Sequence, residues 1–359
     1  MNHEFYIKRC LQIAKNGIGT SRPNPSVGAV IVHKNKIIGE GFTSVYGKNH
    51  AEVNAINAVK NPKLLEKATI YVTLEPCSHF GKTPPCADLI VKKKLKNVVI
   101  GCLDSNSLVS GKGILRLQKA GINVIVGVLE EACREHHKRF FTVQEKKRPY
   151  LILKWAETKD GFVYPKPIIR PQELVSESIK NNAPIWISNQ YSQQLVHKLR
   201  SKEHAILVGT NTVLADNPQL NVRSWFGENP VRVVLDRSLR IPKNANILDG
   251  SVKTIVICNV GSLRREDRRE NVCFEEINFF KNIGKQICDV LQKHNIQSLI
   301  VEGGTQTLQT FIDENLWDEA MVFVGDCNFK KGVKAPSLKT NKVSEQNIKK
   351  DVLKIYKND

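Results

Sequence analysis

No uncharged apolar run opens this chain. Residues 1–17 carry Glu4, Lys8, Arg9 and Lys15 inside every candidate hydrophobic stretch, which leaves neither the core of a secretory signal nor the length of a membrane span. The expectation is a cytoplasmic protein with no membrane partner. No internal repeat and no low-complexity tract occurs, so a solenoid is excluded. Acidic residues are in short supply: 35 Asp and Glu stand against 54 Lys and Arg, a formal charge of +19. Such an excess draws polyanions when it is clustered, but here the densest runs, Lys92 to Lys94, Lys146 to Arg148 and Arg264 to Arg269, are short and scattered. They read as solvated surface, so no nucleic-acid partner is expected and a phosphate-bearing small molecule fits better. A dinucleotide fingerprint is missing too. Gly111-Lys112-Gly113 lacks the third glycine and reads as a helix-entry turn. Any nicotinamide must therefore bind through another constellation.

What is present is enough chain for two cores, since 359 residues exceed what one usually supports. Residues 1–146 alternate helical and strand patterns. Phe5, Ile7, Leu11, Ile13 and Ala14 predict an opening helix, and Gly28 to Val32 with Lys36 to Gly41 predict a hairpin turning at Lys34 and Asn35. A helix from His50 to Lys60, strands at Thr69 to Thr73, Asn97 to Leu103 and Ile122 to Val128, and helices at Cys86 to Lys94 and Gly113 to Ala120 complete a three-layer α/β sandwich. The charged stretch from Glu130 to Arg148 reads as a linker, first helical and then extended. A second α/β domain, 147–359, is expected to place strands at Tyr150 to Ala156, Ala205 to Val208, Arg232 to Leu235, Thr254 to Cys258 and Ser298 to Val301.

Nine cysteines in a reducing compartment are not expected to pair, which turns attention to the two that follow prolines. His50-Ala51-Glu52 opens one helix, and Pro76-Cys77 with Pro85-Cys86 precedes the next. Two thiolates and an imidazole suit Zn2+, and three protein ligands leave the fourth tetrahedral position for water, as catalytic sites require. His50, Cys77 and Cys86 are the expected ligands. Zinc lowers the pKa of bound water toward neutrality, which suits hydroxide attack on a ring carbon bearing an amine, and Glu52 is the expected proton shuttle. Cys77 as a thiol nucleophile with His79 as its base is the competing reading, but it leaves Glu52 and Cys86 without a task.

The runs Pro23-Asn24-Pro25-Ser26-Val27-Gly28, His50-Ala51-Glu52-Val53 and Thr73 through Cys86 resemble the bifunctional riboflavin-biosynthesis deaminase/reductase of bacteria. The eight residues between the cysteines are the specific part, because cytidine and tRNA-adenosine deaminases have two. The resemblance implies a cytidine-deaminase-like first domain acting on 2,5-diamino-6-ribosylamino-4(3H)-pyrimidinone 5′-phosphate, a pyrimidine nucleotide, with Asn24, His79 and Lys82 lining its pocket. It extends more thinly over Lys154, Asp160-Gly161, Trp186 to Ser188, Leu199-Arg200, Gly209-Thr210, Thr212 to Pro218, Leu220, Arg223 and Val301 to Thr305.

That second stretch implies a dihydrofolate-reductase-like domain that uses NADPH to convert the ribosyl group to ribityl. Lys154 and Glu302 are placed at the reducible carbon. Arg200, Leu220, Arg223 and Glu302 are placed at the substrate, and Ala156, Trp186, Thr212, Asp216, Gly304 and Thr305 at the cofactor. Physically, Glu302-Gly303-Gly304 falls where a strand turns into a helix and lets a phosphate approach backbone N–H groups, although an ordinary turn reads the same way. Thr43 stands where the family has histidine, Ser105 where it has proline, and Pro184 where it has a substrate-contacting serine. A homo-oligomer is expected. Two rival readings stay open: a deaminase whose second domain is not catalytic, and a deaminase acting on nucleic acid.

Overall fold

In the computed structural model, which describes residues 2–80, 84–105, 110–165, 186–262 and 270–358, the chain divides into Met1–Arg148 and Pro149–Asp359. In the first unit, Lys34 and Asn35 both take positive φ, 48° and 61°, the turn that suits a tight hairpin. It joins β1 (Gly28–His33) to β2 (Lys36–Phe42). With β3 (Thr69–Leu74), β4 (Asn97–Cys102) and β5 (Asn123–Val126) the sheet order is β2-β1-β3-β4-β5, and β3, β4 and β5 run parallel.

Glycines show which faces the helices cover. A Cβ on Gly28 would lie 2.0 Å from the Cys10 carbonyl oxygen of α1 (His3–Ala14), whereas Gly39 and Gly41, opposite Ile31 and Ala29, abut Ala51 and Ala55 of α2 (Ala51–Asn57). Successive strand residues point to opposite faces, so α1 and α2 sandwich the sheet. Next to α2 packs α3 (Cys86–Lys92), and next to α3 packs α4 (Lys112–Lys119). The expected three layers are there.

The expected linker is not a linker. It folds as α5 (Glu130–His136) and α6 (Lys138–Lys146), and Cys133, Phe140 and Phe141 join the first core while His137 is buried beside them. Positions 133, 137, 140 and 141 fall on one helical face, a stripe that the surrounding charges conceal in the sequence.

In the second unit the five expected strands appear as β6 (Tyr150–Thr158), β8 (Ala205–Gly209), β9 (Val231–Leu235), β10 (Thr254–Asn259) and β12 (Ser298–Gly303). They are joined by β11 (Val272–Ile277), β13 (Glu319–Gly325), β15 (Lys342–Ile348) and β16 (Asp351–Lys357) in a nine-stranded sheet of order β11-β10-β9-β8-β12-β6-β13-β16-β15. Every pair from β11 to β13 is parallel, and only β16 and β15 are antiparallel additions. The central strands read as unbroken apolar runs because both faces are covered. Helices at Gln190–Lys202, Thr210–Asp216, Ile283–Lys293 and Thr305–Asp313 connect them, and β7 (Phe162–Pro165) pairs with β14 (Gly332–Lys334) in a separate small sheet. No helix among the described residues is long and apolar enough to cross a membrane.

Candidate active sites

His50 is the N-cap of α2, in extended backbone, and its side chain makes no capping hydrogen bond. Cys77 follows β3 in a loop, and Cys86 is the first residue of α3. The three side chains converge: His50 Nδ1 lies 3.6 Å from Cys77 Sγ and 3.4 Å from Cys86 Sγ. A tetrahedral zinc with Zn–S of about 2.3 Å and Zn–N of about 2.0 Å sets its nitrogen and sulfur ligands roughly 3.5 Å apart. The donor set therefore fits the ion in type and in spacing.

The electrostatics agree. The Cys86 thiol hydrogen-bonded to Cys77, aided by His50, holds the Cys77 sulfur well below the usual thiol range, while that same bond and burial push Cys86 well up. A divalent cation bound to both sulfurs favours the ionised form of each. The helix start serves Cys77 rather than its own cysteine, since the Cys86 main-chain N–H donates to Cys77 Sγ at 3.3 Å. Glu52, in the first turn of α2, is buried; burial first and then the negative Cys77 sulfur raise its pKa to about 7. A carboxyl poised there can take and return a proton at neutral pH.

Of the residues expected around the base and phosphate, Asn24 closes a turn onto Ser21 and is half-buried, and His79 is exposed on the loop after Cys77. Lys82 lies outside the described residues, as does Pro184. Thr43, the departure from the family's histidine, is buried and accepts the Val27 N–H at 2.9 Å, so its hydroxyl braces the entry to β1.

In the second unit, Lys154 on β6 and Glu302 on β12 lie on neighbouring parallel strands, and Arg200 reaches them from the helix Gln190–Lys202. The Glu302 carboxylate accepts from Lys154 Nζ at 2.9 Å and from Arg200 Nη2 at 2.9 and 3.0 Å. Burial by itself would raise the Glu302 pKa, but the Arg200 and Lys154 cations more than offset it and hold it at about 2. The Arg223 main-chain N–H donates to His197 Nδ1, and Arg200 donates to the Asn221 carbonyl, which docks that loop on the helix. Leu220 buries its side chain in a core with Val213 and Ile241.

The expected cofactor residues gather only in part. A Cβ on Gly303 would lie 3.1 Å from the Thr212 side chain, and Gly304 takes positive φ, 67°, against the same threonine. Thr305 Oγ1 donates to the Lys334 carbonyl. Asp216 ends the helix that Thr212 is on, and Ala156 stands opposite Phe323 in the β6–β13 register. Trp186 is 59% exposed and precedes Ile187, whose carbonyl abuts Gly325 at the end of β13.

Sequence reading missed three residues. His197, whose pKa burial and then Arg200 and Arg223 lower to about 4, sits one helical turn before Arg200, a spacing that the sequence does show. His137 is buried with Nε2 3.0 Å from Thr73 Oγ1, in the stretch taken for a linker. Glu75 is the third. It is buried two residues before Cys77, and its carboxylate accepts main-chain N–H groups of Gly111 and Gly113 at 3.0 Å, Ile114 at 3.3 Å and Asp104 at 3.4 Å.

Comparison with known proteins places both halves. Residues 1–102 match the cytidine and deoxycytidylate deaminase zinc-binding region, and residues 149–327 match the RibD C-terminal domain. The riboflavin biosynthesis protein RibD of Aquifex aeolicus is 38% identical over 98% of this chain and 97% of its own length. RibD of Bacillus amyloliquefaciens is 36% identical over 93% of this chain and 87% of its own. The solved structure of a diaminohydroxyphosphoribosylaminopyrimidine deaminase/5-amino-6-(5-phosphoribosylamino)uracil reductase from Thermotoga maritima superposes with a TM-score of 0.86 at 34% identity, covering 99% of each chain.

Proposed function

The chain belongs to the RibD family of bifunctional deaminase/reductases of riboflavin biosynthesis, and from that membership we propose that its two units deaminate and then reduce 2,5-diamino-6-ribosylamino-4(3H)-pyrimidinone 5′-phosphate. The observation that carries this reading is the His50, Cys77 and Cys86 cluster with the buried Glu52 beside it. His50, Cys77 and Cys86 would hold the zinc. Zinc bound there supplies a Lewis acid that makes water nucleophilic near neutral pH. Glu52 takes a proton from that water and hands it to a ring nitrogen, and its pKa of about 7 suits both halves of the exchange. Asn24, His79 and Lys82 are assigned to the base and its phosphate.

In the second unit, NADPH when bound would supply the hydride for reduction at the ribose carbon. Glu302 is held ionised by two cations and is a poor acid, so the proton donor is assigned to Lys154, with Glu302 fixing its ammonium in place. Arg200 and Arg223 are assigned to the substrate, together with the main chain at Leu220. Trp186, Ala156, Thr212 and Asp216 are assigned to the nicotinamide end, and the turn at Gly304 and Thr305 to phosphate. The intact Lys154, Glu302 and Arg200 cluster favours an active reductase over a second unit that serves binding alone. The enzyme is proposed to act in the cytoplasm as a homo-oligomer; the exposed edge strand β5, with Ile125 and Val126, supports self-association. Incubating purified protein with the diaminopyrimidinone nucleotide, with and without NADPH, tests the function. Mass analysis should show the deaminated product without NADPH and the ribityl product with it; no deaminated product in either case overturns the reading.

A further inference from the structure

Gly111 caps α4 with no side chain of its own, and the carboxylate that meets the helix start is Glu75, from the segment that leads to Cys77. Four main-chain N–H groups converge on a side chain that is 4% exposed. The fit between the two segments is close: a Cβ on Gly113 would lie 2.2 Å from the Pro76 carbonyl oxygen. One turn further along α4, Arg116 Nη1 donates to the Ser78 carbonyl at 3.0 Å and pairs with Asp88 of α3 at 2.9 Å. Helix α4 therefore grips residues 75, 76 and 78 around one cysteine and residue 88, two positions past the other.

Resting on the zinc site proposed above, we propose that α4 is a brace that presets the separation of Cys77 and Cys86, with Glu75 and Arg116 as its positioning residues. Neither touches the reacting atoms. Each thiolate sits in a short stretch that the sheet alone would not hold against the other, so ordering them in advance removes entropy that metal binding would otherwise have to supply. A carboxylate is required at position 75 because all four groups facing it are donors. An amide would turn an NH2 toward two of them and leave those N–H groups without an acceptor.

The test is the rate at which zinc passes from the full-length protein to an excess of chromophoric chelator, measured well below the unfolding temperature. Glu75→Gln and Arg116→Ala are each expected to release zinc about tenfold faster than wild type, the size of effect seen for groups that orient metal ligands. Arg116→Lys, which keeps a cation for Asp88 and a donor for Ser78, should restore most of the loss. Arg116 is partly exposed, so its removal leaves a folded chain even where Glu75→Gln does not fold. Zinc release from Arg116→Ala at the wild-type rate overturns the brace. So does a lower unfolding midpoint of the metal-free variants with no change in release. Wild-type protein that holds no zinc overturns the functional reading itself, a different result from either.

Discussion

Lys154 Nζ and Glu302 Oε1 meet at 2.9 Å although they stand 148 positions apart in the chain, and both side chains are only about a tenth exposed, at 11% and 12%. A buried charge that loses its partner costs far more than an exposed one. Glu302 is the anion between two cations, so its ionisation and the integrity of the site are coupled.

That coupling predicts a pH dependence. The folded pKa of Glu302 is lowered to about 2 from an ordinary value of 4.5. Its contribution to stability is therefore complete above pH 4.5 and is lost as pH falls through about 2. Thermal unfolding of Glu302→Gln should trail wild type by a steady gap near neutral pH, and that gap should close on the way down to about pH 2. A gap of constant size across the acid range would show that the carboxylate is not held ionised.

Lys154→Met is expected to abolish reduction, lowering it by at least about 10²-fold as loss of a positioned acid does, and to leave deamination intact. The two activities are read separately from product masses. Equal loss of both would mark a folding defect instead.

Purified protein is expected to carry about one zinc per chain, and Glu52→Gln should keep that metal while losing deamination by roughly 10²- to 10⁴-fold, because an amide cannot shuttle a proton. Metal analysis and a deamination assay on the same sample check both halves. A variant that deaminates at the normal rate removes Glu52 from the mechanism.

NADPH should bind the second unit in preference to NADH, and Gly304→Asp should weaken it by at least about tenfold, since a carboxylate placed at the turn repels phosphate. Titration of each cofactor against wild type and variant is the direct measurement. Equal, weak binding of both cofactors would favour a second unit that binds without catalysing.

Residues 1–148 expressed alone should be soluble and hold zinc, whereas residues 1–128 should not. The shorter piece lacks Cys133, Phe140 and Phe141, and so exposes the face of the sheet that they cover. Solubility of the shorter piece would contradict the packing of α5 and α6.

How far the sequence could be read depends on what each residue answers to. The metal cluster was legible because chemistry restricts it: His50, Cys77 and Cys86 are of ligand type, and the prolines and helix starts sit beside them. The hairpin at Lys34 and Asn35 and the strands β3 to β6, β8 to β10 and β12 were legible because apolar runs and turn residues are local signals, whereas β7 and β11 were not read. The structural role of Glu75 was not, since its partners Gly111, Gly113 and Ile114 lie some forty positions away and donate only main-chain N–H groups, which leave no mark in side-chain identity. The stripe of α5 and α6 was hidden by charge. Strand β15, Lys342–Ile348, shows almost no apolar face because it is an exposed sheet edge, and its pairing with β16 supplies what its composition does not.

The strand order of the second sheet also bears on how the protein emerges during synthesis. Its first strand, β6, lies between β12 and β13, and β13 is in turn flanked by β16, made of residues 351–357. Nothing made before residue 298 can give β6 either of its neighbours, so although β8, β9, β10 and β11 can pair earlier, the centre of this sheet stays open on the ribosome until β12 and β13 have been made. The first unit needs only residues up to 148 and closes while the second is still being made. A stalled or truncated product would thus be able to deaminate but not reduce.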